Sequence, residues 1–265
     1  MFLCFIMNTF SSFWEQYFYK LLLLLLEVTS LKNKYSFLIK IIFMISIITI
    51  IPFKNAYCEG EKVIYLTFDD GPGGKVTKDV LDILKSENVP ATFFLIGNQI
   101  KGQEDLVKRI DEEGHSIGLH SMSHEKGNLY SSDSNFLKEM LDSQKTIEEV
   151  VGRKVNILRF PFGSNNNTYH LKESLVNLLH ENNLKIYDWN VDSTDGANPY
   201  GNPCNILKNA TKNNDKNEVI LLMHCGYINK NSTIALPEII KYYKDNGYTF
   251  KAINEDTSEM FHYIK

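Results

Sequence analysis

The chain is short of three things: cysteine, net charge and repetition. Cys4 and Cys58 fall in the N-terminal stretch, which leaves Cys204 and Cys225 for the rest of the chain. Those two could pair outside the cell, but scattered thiols build no disulfide framework, and independent small buried residues are the expectation. With 28 Lys and Arg against 32 Asp and Glu, the net charge is -4. No basic stripe interleaves with aromatics, so no nucleic-acid partner is expected. Beyond residue 60 no internal repeat, low-complexity segment or linker interrupts the pattern. Length alone leaves room for one domain with a large core plus an appendage, or for two small domains.

The first sixty residues differ from the rest. Leu21–Leu26 is an unbroken leucine run, too short to span a bilayer. A second apolar stretch, Tyr35–Ile51, follows Lys32 and Lys34 and is interrupted once, by Lys40. Positive residues, an apolar run, then Pro52 and Ala56-Tyr57-Cys58 match the three regions of an export signal, with cleavage after Ala56 or Cys58. An uncleaved membrane anchor fits nearly as well, since the run approaches spanning length. A buried hydrophobic helix fits less well, because lysines flank the run and it lacks a polar face. Tyr57 argues against a lipoprotein-type Cys58. Residues 1–31 do not fit the arrangement, which is compatible with translation starting downstream. The expected organisation is residues 1–58 as signal peptide or anchor and 59–265 as one catalytic domain. The destination is extracytoplasmic, either secreted or anchored at the cell surface.

From Lys62 onward, short apolar runs alternate with amphipathic segments. Strands are expected at Val63–Phe68, Ala91–Ile96, Ser116–Leu119, Asn156–Phe160, Lys185–Asn190, Val219–Met223 and Tyr248–Ile253. Most are apolar on both faces, as parallel strands covered on both sides must be. Helical faces are formed by Val76, Val80, Ile83 and Leu84, and by Leu106 and Ile110. A longer helix is expected over Ser132–Val150, ended by Gly152, with others at Leu171–Leu179, Ile206–Ala210 and Ile234–Tyr243. The alternation defines an α/β domain. A closed or partly open β/α barrel and an open doubly wound sheet both satisfy it. In either, functional groups gather at the carboxyl ends of the strands.

Five polar clusters stand at such ends. Thr67-Phe68-Asp69-Asp70-Gly71-Pro72 leaves a buried strand with two carboxylates, costly unless paired or bound to a cation. Neighbours on an extended chain face opposite ways, so the two acids should differ in role. His120-Ser121-Met122-Ser123-His124 spaces two imidazoles i, i+4, which on a helical turn lets them share a metal. No Glu lies between them, so this is not a metalloprotease helix. The His-x-Asp spacing of non-haem iron oxygenases is missing too. His115 lies at the strand start and reads as structural. Arg159-Phe160-Pro161-Phe162-Gly163 pairs an arginine suited to a carboxylate with a turn that can aim a backbone N–H at an anion. Asp188 and the run Asp192-Ser193-Thr194-Asp195-Gly196 follow another strand. His224, in Leu221-Leu222-Met223-His224-Cys225-Gly226, is expected to act as a catalytic acid or base.

In this order and spacing, TFDDGP, HSMSH, RFPFG, DSTDG and LLMHCG resemble the five motifs of the polysaccharide deacetylases of carbohydrate esterase family 4. The resemblance covers roughly residues 61–255. It implies a distorted, incomplete (β/α) barrel of about seven parallel strands that hydrolyses acetyl groups from amino sugars or, in some members, xylan. By that resemblance Asp70, His120 and His124 hold a divalent metal, Zn²⁺ foremost, with Co²⁺, Mn²⁺ or Ni²⁺ also suited. Asp69 is the general base, Arg159 orients it, and the Phe162 N–H is an oxyanion donor. His224 is the general acid, Asp195 keeps it charged, and Leu222 walls the acetyl-methyl pocket. Two departures stand out. Gly196 occupies a place where the family often has Trp, a wall that Trp189 or Tyr200 could replace. Cys225 follows His224 where Asp is common. The expected substrate is an N-acetylated glycan such as peptidoglycan or a chitin-like polymer. The alternatives are O-deacetylation of a xylan-type polymer and a non-catalytic carbohydrate-binding protein.

Overall fold

The structure, a computed structural model, describes residues 61–166, 169–212 and 216–261. The hydrophobic N-terminal segment and the proposed boundary after residue 58 lie outside the described residues. Eight strands alternate with helices: β1 Val63–Gly71, β2 Thr92–Leu95, β3 Ser116–Leu119, β4 Ile157–Leu158, β5 Lys185–Ile186, β6 Val191–Asp192, β7 Glu218–His224 and β8 Thr249–Phe250. The helices are α1 Lys75–Glu87, α2 Glu104–Glu112, α3 Asp133–Val151, α4 Glu173–Glu181, α5 Pro203–Ala210 and α6 Lys230–Asp245, with a single turn at Lys126–Leu129. β6 was not expected. The run Lys185–Asn190 supplies only β5, and the chain re-enters the sheet two residues at a time.

Strand order is β5-β4-β3-β2-β1-β7-β6, with β8 added to the start of β1. Every pairing is parallel. The path ends on β5 and β6, so this is the incomplete barrel that the family resemblance implied, with helices on its outer face.

Side-chain alternation along the strands sorts residues into two cores. Outward-facing Ile64, Leu66 and Phe68, Phe93 and Leu95, and Val219, Leu221 and Met223 join the large cluster under the helices. Inward-facing Phe94, Ile157, Tyr187, Ile220 and Ile253 form a smaller plug, packed by Tyr65 and Trp189. Gly118 makes room for it, because a Cβ there would stand 2.5 Å from the Phe94 ring. Each inward column turns polar two residues at a time: Tyr65, Thr67, Asp69 on β1, and Ile220, Leu222, His224 on β7. The same step carries Ile157 to Arg159. The barrel is therefore filled with apolar side chains below and polar ones at the carboxyl end.

α3 begins where the sequence places it, with Ser132 accepting the Asn135 N–H, and stops at Gly152 in the left-handed conformation, φ 76°. Among the described residues, no helix is long and apolar enough to cross a membrane.

Candidate active site

Asp69 and His224 are direct partners in the β1–β7 ladder, so the sheet register itself sets a carboxylate beside an imidazole. Strand alternation would turn Asp70 away from them. Instead the register slips between Phe68 and Gly71, and Asp70 takes φ 64°. This left-handed kink brings both carboxylates to the same cleft, a conformation that a non-glycine residue holds only when its surroundings enforce it.

Asp69 is buried and receives Arg159 Nη1 on Oδ1 at 2.9 Å. Arg159 is wholly buried. Its remaining donors reach Thr67 Oγ1 at 2.6 Å, the Tyr187 carbonyl at 2.8 Å and the Asp188 carbonyl at 2.9 Å. Its guanidinium lies 4.3 Å from the Phe94 ring centroid, capping the apolar plug. A charge fixed on so many sides has one orientation, and it passes that rigidity to Asp69.

His120 and His124 come together with Asp70. One ligand atom from each lies within 4.8 Å of the others. The helical turn expected between the two histidines is absent. Residues 120–124 form a loop in which Ser121 and His124 are left-handed, φ 65° and 59°. The i, i+4 spacing brings the rings together by a different route, with centroids 5.1 Å apart. His120 Nδ1 lies 3.0 Å from the Arg159 carbonyl, an atom that can only accept, so Nδ1 donates there and Nε2 is the ring nitrogen turned to the cleft. Nε2 faces Asp70 Oδ1 at 3.4 Å, and His124 Nε2 faces the same oxygen at 3.4 Å. Asp70 Oδ1 is buried without a hydrogen-bond partner. Burial, then His120, push His124 down to about 4, so this ring is neutral at physiological pH. A buried carboxylate oxygen with no hydrogen-bond partner, faced by two imidazole nitrogens, leaves a negative charge that a cation would satisfy. The residues thus fit a divalent metal with two nitrogen ligands and one oxygen ligand.

On the other side of the cleft, His224 Nδ1 pairs with Asp195 Oδ1 at 2.8 Å. Asp195 is fully buried and also accepts the His224 N–H at 2.9 Å, Ser193 Oγ at 2.9 Å and Ser232 Oγ at 2.6 Å. Burial opposes charge on His224. The Asp195 hydrogen bond and the negative charges of Asp195, Asp69 and Asp70 outweigh it and raise the imidazole to about 9.

The cleft between these groups has a volume of about 360 Å³ and is lined by Asp69, Asp70, His120, His124, Phe162, Trp189, Asp192, Gly196, Ala197, Leu222 and His224. Phe162 sits at φ 66° with its ring 4.8 Å from His124, and its N–H has no acceptor among the described residues. Trp189 lines the cleft, whereas Tyr200 is 76% exposed and does not. A Cβ on Gly196 would stand 2.3 Å from His224 Cε1, so the imidazole packs directly on this backbone. Gly196→Ala should therefore displace the ring. A misplacement of about 1 Å costs up to about 10²-fold in rate. Steady-state kinetics should show that loss in kcat, and an unchanged kcat would refute the packing argument.

Cys225 is buried and Cys204 exposed, and both are free. The expectation of two buried thiols thus holds for one. Burial pushes the Cys225 thiol up, so it stays protonated. His115 is buried at its strand start, accepting the Ala91 N–H on Nδ1 at 3.1 Å, apart from the cleft. Sequence reasoning missed Thr67 and Ser232 as supports. Thr67 was legible, lying two residues before Asp69 on the same inward column. Ser232 comes from α6 and carries no local signal.

An open parallel β/α barrel with two buried charge pairs flanking a cluster that could hold a metal is an arrangement suited to hydrolysis. A family model described as polysaccharide deacetylase matches residues 56–187. A peptidoglycan-N-acetylglucosamine deacetylase of Bacillus cereus is 40% identical over 205 residues, covering 74% of this chain and 71% of that protein. The peptidoglycan-N-acetylmuramic acid deacetylase PdaA of Bacillus subtilis is 32% identical over 200 residues, covering 74% and 71%. The crystal structure of a polysaccharide deacetylase from Bacillus cereus superposes with a TM-score of 0.69 at 38% identity, covering 75% of this chain and 95% of that one. The chain belongs to the polysaccharide deacetylase family.

Proposed function

We propose that this protein is a metal-dependent N-deacetylase of cell-wall glycan. It removes acetyl groups from N-acetylglucosamine residues of peptidoglycan, or of a related N-acetylated polymer, and releases acetate. The observation that carries this reading is the convergence of Asp70, His120 and His124 between the Asp69–Arg159 pair and the His224–Asp195 pair. The relatives' names support the glycan, and the N-acetylmuramic acid enzyme among them makes the sugar the first thing to test. An extracytoplasmic location, reached through the N-terminal segment, would place the enzyme beside that polymer.

A divalent ion held by Asp70, His120 and His124, Zn²⁺ foremost, would acidify water and polarise the acetyl carbonyl. Asp69, oriented by Arg159, takes the proton from the attacking water. The Phe162 N–H donates to the acyl oxygen as negative charge builds there. His224 gives its proton to the departing nitrogen, and Asp195 keeps it charged until then. Leu222, 4% exposed, presents an apolar wall to the methyl group.

Acetate release should be measured from N-acetylated glycans, with acetylxylan as the O-acetyl arm, across added divalent metals. No release from any amino-sugar substrate would sink the reading. Release from acetylxylan alone would move it to O-deacetylation. Because the acid must be protonated, rate should fall as pH rises through the His224 pKa, about 9 in the metal-free site. With a cation at Asp70 the same ring titrates lower. Asp195→Asn removes the main group holding it up, so the alkaline limb of the pH–rate profile should move further down. A limb that stays in place would separate His224 from the acid role.

A further inference from the structure

Glu139 lies on α3, outside the cleft, and is 8% exposed. No lysine, arginine or histidine lies within salt-bridge distance of it among the described residues. Its carboxylate is instead spent on the loop joining the two histidines. Oε2 accepts the backbone N–H groups of Met122 at 3.0 Å and Ser123 at 2.8 Å. The Ser123 hydroxyl lies 3.0 Å from Oε2 and 3.1 Å from Oε1, and Asn128 Nδ2 donates to Oε1 at 2.6 Å. A buried carboxylate costs several kcal/mol unless its lone pairs are met, and here donors of one loop meet them.

The loop is one that would not hold its shape unaided. Ser121 and His124 are both left-handed, and the His124 N–H is tied to Ser121 Oγ at 2.9 Å. Neither residue is a glycine, so each carries steric strain that must be offset. Glu139 grips the two residues between them. Two consecutive backbone N–H groups pointing at one oxygen form an anion-binding nest, and α3 fills it with its own carboxylate.

We propose that Glu139 is a positioning residue that sets the metal affinity of the site by holding the Met122-Ser123 backbone and, through it, the spacing of the two histidine ligands. This rests on the metal reading above. Residues that orient ligands typically govern metal affinity by about 10–100-fold.

The test is a Zn²⁺ titration of the metal-stripped full chain, with circular dichroism confirming the fold of each variant. Glu139→Ala should raise Kd about 10–100-fold. Glu139→Asp keeps the charge but falls a methylene short, and should resemble Ala. It carries the test if the Ala variant does not fold. Glu139→Gln retains a carbonyl oxygen for both N–H groups, while the Asn128 amide can turn to accept from the new NH₂. It should bind close to the parent, well short of the loss expected for the Ala variant. Folded Ala and Asp variants that bind Zn²⁺ like the parent would overturn the proposal. A Gln variant as weak as Ala would overturn it too, by making charge rather than shape the cause. A parent chain that binds no divalent metal would overturn the metal reading along with it.

Discussion

Chelation, or His120→Ala, should take acetate release to background by removing the ion, whereas His224→Ala should retain the ion and lose about 10²–10⁴-fold in kcat. The two histidines stand in one cleft, but their hydrogen bonds separate them. His120 Nδ1 is committed to the Arg159 carbonyl, which turns Nε2 toward Asp70. His224 instead points Nδ1 at the buried Asp195 and is held charged. A ring kept positive is a poor ligand and a good acid. Metal content and turnover, measured together on the two variants, should therefore dissociate. Loss of metal from His224→Ala would mean that the two sides of the cleft have been exchanged.

Arg159→Met should be the most destabilising single change at the site. It leaves Asp69 a buried carboxylate without its hydrogen-bonded counter-charge, a situation that costs about 3–5 kcal/mol. It also removes the Arg159 donors that the carbonyls of Tyr187 and Asp188 now receive. The double variant Asp69→Asn/Arg159→Met removes the charge as well and should recover part of the loss, since residues in contact do not add. Urea denaturation of the parent, both single variants and the double variant gives that coupling directly. A cost below about 1 kcal/mol for Arg159→Met, the range of exposed ion pairs, would mean that the pair is more open to solvent than its burial indicates. Activity should vanish in all three, because Asp69 is either removed or no longer held.

Much of the fold was legible because the strands are apolar on both faces and end in polar groups. Val63 onward reads as a buried strand, and the Asp69-Asp70 pair marks where it meets the cleft. Strand order was not legible, since parallel strands are joined through helices of similar length whichever neighbour they seek. β6 was missed because Val191 and Asp192 earn their place only by pairing with Leu221 and Leu222. The His120–His124 spacing was read as helical because a helix is the commonest way to bring i and i+4 together. No glycine in Ser121-Met122-Ser123 signals positive φ, and the residue that enforces it, Glu139, sits fifteen positions beyond His124. The grouping of Asp70, His120 and His124, and the pairs Asp69–Arg159 and Asp195–His224, could be named from motif order, but not every support could. Ser193 lies two residues from Asp195, whereas Ser232 reaches it through tertiary structure alone.

The pairing of Asp69 with His224 in the β1–β7 ladder has a thermal consequence. Their separation is fixed by a run of register pairs that starts at Val63 and Glu218 and passes through the buried middle of both strands, where opening costs close to the whole stability of the domain. Asp70, His124 and Phe162 stand on left-handed turns at its rim. On warming, the rim should therefore loosen while the ladder is intact, and the ion should leave before the fold does. Inactivation of this kind should be reversible: cooling with added metal should restore activity, because the sheet that spaces Asp69 from His224 would not have been lost.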